Sequence, residues 1–178
     1  IPKMDIVLRS NNASFKYSSL PKSVENISIN AGIKNDSWKV DDTYLRIQDL
    51  QFRIDQDVFK SSATIKNFTN NMRVDAIIDG ALKLANISKA YPIELDTKLS
   101  GSLKAKLHNV FDMNTIKSNA YERTKNNGSI VVTDFVFSSE ELANPLYISK
   151  VDIELKPSIV KLQSFAATTG KSDISATG

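Results

Sequence analysis

GSIVVTDFVFSSEELANPLYISKVDIELKPSIVKLQSFAATTGKSDISATG, residues 128–178, decides the fold. Ile130 and Val132 alternate with their neighbours, the phase slips across Asp134, and Phe135 and Phe137 carry the pattern on. After Asn144-Pro145 the alternation resumes at Val151, Ile153 and Leu155, with Asp152 and Glu154 between them. Pro157-Ser158 breaks the chain, then Val160, Leu162 and Phe165 follow, and past Gly170-Lys171 come Ile174 and Ala176. Alternation bounded by Pro, Gly, Asn and Ser predicts four short antiparallel strands, each with one dry and one wet face.

Working outward, the N-terminal half repeats the same grammar. Met4 to Leu8 reads as a strand before the loop Ser10-Asn11-Asn12, and Phe15 and Tyr17 lead into a turn at Pro21. Ile27, Ile29, Ala31 and Ile33 alternate; so do Leu45 and Ile47, until the phase slips at Asp49 and Leu50, Phe52 and Ile54 continue on the other parity. Such slips are the sequence mark of a β-bulge. Ala63 and Ile65, then Met72, Val74, Ala76 and Ile78, supply further strands around Asn70-Asn71. Leu82, Leu84, Ile87 and Tyr91 fit a short helix ended by Pro92. A long alternation over 93–107 predicts one extended strand with a bend at Gly101. Asp112 then caps a predicted helix over 113–125, closed by Asn126-Asn127-Gly128.

The two ends resemble each other. Phe15-Lys16-Tyr17-Ser18-Ser19 matches Phe135-Val136-Phe137-Ser138-Ser139, and Leu45-Arg46-Ile47-Gln48-Asp49-Leu50 matches Val160-Lys161-Leu162-Gln163-Ser164-Phe165. The expected organisation is a β-unit over 1–80, a long strand plus helix over 81–127, and a second β-unit over 128–178.

Composition excludes more than it assigns. A hydrophobic content of 41% with 24% charged residues is that of an ordinary globular protein. The net charge of +3 comes from scattered lysines, so nucleic acid is not an expected partner. Without cysteine there is no disulfide, thiol nucleophile or thiolate metal site. The apolar runs fall far short of the roughly 20 residues that a membrane helix needs. The chain opens on IPKMDIVLRS and stops after SDISATG, which suggests a piece of a longer protein.

No motif rises to chemistry, so the expectation is a non-enzyme without cofactor or metal. Thr169-Gly170-Lys171-Ser172 lacks the earlier glycine of a phosphate-binding loop and reads as a turn. His108 is the lone histidine, on the polar parity of the long alternation. Asp41-Asp42 and Glu140-Glu141 are neighbours, which point to opposite sides of an extended chain. Trp38 with Tyr44 suits an aromatic cluster or a sugar-stacking platform. What remains is about ten apolar rows, to be covered by a second sheet, by the helices, or by something that is not protein.

The run Gly128-Ser129-Ile130-Val131-Val132-Thr133-Asp134-Phe135-Val136-Phe137, the Val151 to Leu155 strand and the ending Gly170-Lys171-Ser172-Asp173-Ile174-Ser175-Ala176-Thr177-Gly178 resemble the C-terminal region of AsmA-like proteins of Bacteroidetes-type bacteria. Gly101-Ser102-Leu103-Lys104-Ala105-Lys106-Leu107 fits the same pattern. The resemblance covers about residues 80–178 well and the first eighty more loosely. It implies a periplasmic body related to TamB and to bridge-like lipid transfer proteins, anchored in the inner membrane by an N-terminal helix outside this sequence. The implied fold is mainly β, a curved antiparallel sheet forming a groove, with one or two short helices. The implied partner is phospholipid or another acyl-chain lipid, and the implied role is lipid transport between membranes and outer-membrane assembly. The groove residues expected on that basis are Leu95, Leu99, Leu103, Leu107, Ile130, Val132, Phe135, Phe137, Val151, Ile153, Leu155, Val160, Leu162 and Phe165. The alternative is a closed β-sandwich scaffold that binds envelope proteins or glycans through Trp38, Tyr44 and the loops.

Overall fold

The computed structural model describes residues 2–92, 99–138 and 142–178. Its organising element is a single sheet of ten strands, hydrogen-bonded in strict sequence order from β1 to β10. The strands are β1 (Met4–Phe15), β2 (Val24–Asn35), β3 (Tyr44–Ile54), β4 (Asp57–Lys66), β5 (Arg73–Lys83), β6 (Ser102–Asp112), β7 (Lys125–Phe137), β8 (Leu146–Lys156), β9 (Ile159–Thr169) and β10 (Ser172–Ala176). Two short helices, α1 (Leu84–Ala90) and α2 (Met113–Lys117), interrupt the meander. Neither helix is long and apolar enough to cross a membrane. All pairings are antiparallel, so turns alternate between the two ends of the sheet, and the sheet is open rather than closed into a barrel.

The strands outrun the short ones expected because their interruptions are bulges rather than ends. Asn12 at φ 61° and Asn26 at φ 50° sit inside β1 and β2, and the register shifts around each. Asn and Asp tolerate the left-handed region that other side chains avoid. The predicted slip at Asp49 is a register shift between Ile47 and Leu50, and the slip at Asp134 falls on a residue at φ 54°. Shifts recur on β8 and β9 between Ile148 and Lys150 and between Asp152 and Ile153. β4, β5 and β6 pair without any shift. Each bulge bends its strand, so two bent groups of strands flank a regular centre.

Two expectations need correction. The strand over 93–107 is not continuous: β6 begins at Ser102. Gly101 adopts φ 77°, a Cβ there would run into the carbonyl of Thr133, and its own oxygen accepts the Leu84 N–H at 2.9 Å. The chain is therefore turned toward the start of α1 at that point. Leu99 is described but precedes the strand, and Leu95 lies outside the described residues. The helix over 113–125 is also too long. Asp112 does cap it, accepting the Thr115 N–H at 2.9 Å, but α2 stops at Lys117, and Asn119 turns left-handed at φ 55°. A single 3-10 turn, Tyr121–Arg123, follows before β7 starts at Lys125. Gly128 lies inside β7, where a Cβ would overlap the Lys106 carbonyl.

One face of the sheet is mainly apolar, with Ser61, Asn109 and Asn126 as polar positions on it. On β5, Val74, Ala76, Ile78 and Leu82 are half-buried, while Arg73, Asp75, Asp79 and Lys83 are exposed. The adjacent pair Ile77 and Ile78 isolates the effect: Ile77 on the polar face is 50% exposed, and Ile78 on the other is half-buried. Among the described residues no second sheet lies over this face, so its side chains are shaded mainly by their neighbours in the same layer. The closed-sandwich alternative thus lacks its second layer. Only Val24, Ala31, Ile54, Ala90 and Ala167 are fully buried apolar residues among those described.

Candidate functional site

Pairing registers show which predicted groove residues meet. Leu103 on β6 stands opposite Val132 on β7, which faces Val151 on β8, which faces Phe165 on β9. A second row runs Ala105, Ile130, Ile153 and Leu162, and a third runs Leu107, Gly128, Leu155 and Val160. Beyond the Asp134 bulge, Phe135 pairs with Ile148 and Phe137 with Leu146. Paired residues share a face, so all the expected residues from Leu103 onward form one patch. The matching phase slips on β7 and β8 keep Phe135 and Phe137 on it: Val132 to Phe135 on one strand answers Ile148 to Val151 on the other.

The patch is larger than expected. Leu103 also pairs with Leu82 on β5; the third row continues from Leu107 through Ile78 to Ser61 on β4 and Leu50 on β3, and a further row runs from Asn126 and Asn109 through Ala76 and Ala63 to Ile47. They end on the edge strand β1, where Ile6 and Leu8 pair with Ile33 and Ala31. The same alternation marks these N-terminal residues, but the family resemblance is looser there and does not pick them out. Ten strands at about 4.8 Å spacing give an apolar face about 43 Å across.

Protein covers one corner of this face. α1 lays Ala90 against Val24 and Ile54, with Ile27 and Phe52 around them. Phe52 stacks on Phe59 with ring centroids 5.0 Å apart, and Phe15, Tyr17 and Tyr91 meet edge to face at 5.8 and 5.7 Å. A polar clasp holds α1 down. Lys22 Nζ donates to Asp55 at 2.6 Å and to the buried Asn86 at 2.8 Å, and Asn86 Nδ2 donates to Asp57 at 2.8 Å. Hydrogen bonding to Lys22 keeps the Asp55 carboxyl below the usual aspartate range. Among the described residues, the rest of the face has no core cluster over it.

The polar motifs fall elsewhere. His108 and Asp75 pair at 2.8 Å on the opposite face, both exposed. A hollow of about 390 Å³ between Arg46, Gln48, Thr64 and Asp75 lies there too. It is wide open and mixed in charge, and offers area to nothing in particular; the apolar face is the better candidate because a long ligand needs continuous area rather than enclosure. Thr169 to Ser172 is the β9–β10 hairpin, with no helix after it. Asp41 accepts hydrogen bonds from Thr69 and Asn70, and Asp42 accepts one from Ser37, which places that acidic pair in loop packing. Glu140 and Glu141 lie outside the described residues. Among the described residues no cluster of His, Asp and Glu has the makings of a metal site. No protein-family model, curated protein or solved structure matches this chain.

Proposed function

We propose that this chain is a non-enzymatic lipid-binding segment of an AsmA-like envelope protein, holding acyl chains on the concave apolar face and conducting phospholipid between membranes of the periplasm in support of outer-membrane assembly. One observation carries the reading: a broad apolar face, ten strands wide, over which the described residues place protein at one corner. Its surface of 11788 Å² exceeds by about 3,200 Å² the roughly 8,600 Å² expected of a compact 19.7 kDa monomer. That excess counts polar and apolar surface together, as a sheet left in one layer gives, and a broad apolar face exposed on such a sheet marks an interaction surface. An acyl chain suits it because every methylene buried contributes about 0.8 kcal/mol without demanding a polar partner. The face has few such partners to give.

Solvent extraction of the purified chain followed by lipid mass spectrometry tests this directly, with an unrelated β-sandwich purified in parallel. The expected outcome is phospholipid at a reproducible ratio above the control. In Leu103→Asp, which puts a charge mid-row between Leu82 and Val132, the bound lipid should fall while the fold persists. Wild-type protein with no lipid above the control sinks the proposal and leaves an interaction module as the reading to pursue.

A further inference from the structure

We propose that one rim of the sheet is a docking edge for an anionic bilayer surface, separate from the apolar face. The loops at this rim are 36–43, 67–72, 113–124 and 157–158, and hydrogen bonds link them into one chain. Asp41 takes the Thr69 hydroxyl and the Asn70 amide; Met113 N–H donates to the Met72 carbonyl at 2.9 Å; Asn114 N–H donates to Asn71 Oδ1 at 2.9 Å; Ser158 donates to the Glu122 carbonyl at 3.3 Å. The buried Asn35 fixes the first loop through Lys39 O and Thr43 Oγ1, both at 2.7 Å.

Each loop of this braced rim presents a large apolar side chain to solvent. Trp38 is 71% exposed, Phe68 41%, Tyr121 58%, and Ile159, beside the last loop, 58%. From the first loop to the last is six strand spacings, about 29 Å. Tips strung singly along that edge form no one contiguous patch for a folded partner, whereas a fluid interface accepts each separately. Trp and Tyr are the residues that favour the headgroup level.

Charge points the same way. Lys39, Lys66, Arg73, Lys117 and Lys125 sit on this rim and make no ion pair among the described residues. Lys66 and Arg73 are direct cross-strand partners, a like-charge juxtaposition that the single carboxylate of Asp112, on the far side of Arg73, offsets only in part. Of the nearby acids, Asp36 and Glu122 are ion-paired with Lys34 and Arg123, and Asp41, Asp42 and Asp112 keep their charge while accepting hydrogen bonds, so the five unpaired cations outnumber three carboxylates. Lipid phosphates balance that excess.

Trp38 is the only tryptophan, so its emission reports the rim alone. The 178-residue chain is mixed with vesicles of phosphatidylcholine, or of phosphatidylcholine with an equal part of phosphatidylglycerol, and followed by emission and flotation. The expected result is a blue shift and flotation with the anionic vesicles. The triple variant Lys66→Gln/Arg73→Gln/Lys125→Gln should bind about a hundredfold more weakly, at about fivefold per cation removed. Phe68→Ser/Tyr121→Ser should weaken binding to both vesicle types. Unshifted emission overturns the proposal. So does flotation that survives the rim variants but is lost in Leu103→Asp, because binding would then run through the apolar face. Lipid extraction reads the face and flotation reads the rim, so the two proposals fail separately.

Discussion

Ile54 and Val160 occupy the same face of one sheet and live in different environments. Ile54 is 5% exposed beneath α1, in contact with Val24 and Ala90. Val160 is 69% exposed at the open end of a row that begins at Leu107. Truncating the first leaves a cavity, so Ile54→Ala should cost about 2–4 kcal/mol in urea unfolding. Val160→Ala removes atoms that water already reaches and should stay within about 0.5 kcal/mol. Similar losses at both positions would mean that a layer of protein covers the whole face. The residue scale is also where the sequence is most legible. Parity assigns Leu103, Ile130, Val151 and Leu162 to one face, and registers place them there, because a half-buried strand has no other way to alternate. Coverage is not legible: Ile54 and Val160 look alike in sequence, and what separates them is α1 arriving from thirty residues away in the chain.

At the scale of elements, sheet and helices differ in legibility for a physical reason. The phase slips at Asp49 and Asp134 show through because a bulge must preserve the apolar face on both sides of it. Helix length does not show through, since α2 is polar and ended by the left-handed Asn119 rather than by loss of a hydrophobic stripe. α2 depends on its cap, and that cap titrates. The backbone N–H of Thr115, helped by Asn71, holds the Asp112 carboxyl below the usual aspartate range. A carboxylate with a depressed folded pKa contributes its stability fully above the unfolded value, and loses it as pH falls through the lower, folded one. Protection of the α2 amides, corrected for intrinsic exchange, should therefore be flat above about pH 4 and fall below it. In Asp112→Asn the side chain still caps but does not titrate, so the acid decline should flatten. The same acid decline in both proteins would show that the cap is not what titrates.

The whole molecule is the scale at which the open face becomes a thermodynamic quantity. Its surface of 11788 Å² means that folding buries about 59% of what an unfolded 19.7 kDa chain exposes, against about 68–70% for ordinary domains of this size. That is the fraction typical of a domain of about 60 residues, spread over 178. Part of the shortfall is the apolar face left open among the described residues, and a ligand on that face supplies burial that the chain itself does not. Anything that binds only the folded state stabilises it by mass action, about 2.7 kcal/mol at a hundred times its Kd. For a chain of this length that raises the Tm by about 5–10 °C. Delipidated protein should accordingly bind the dye ANS strongly, and a short-chain phospholipid added below its micellar concentration should displace the dye and raise the Tm over that range. A polar solute of equal concentration should do neither. Weak dye binding together with an unmoved Tm would mean that the apolar face is already closed by protein, and a lipid-conducting groove could not be built on it.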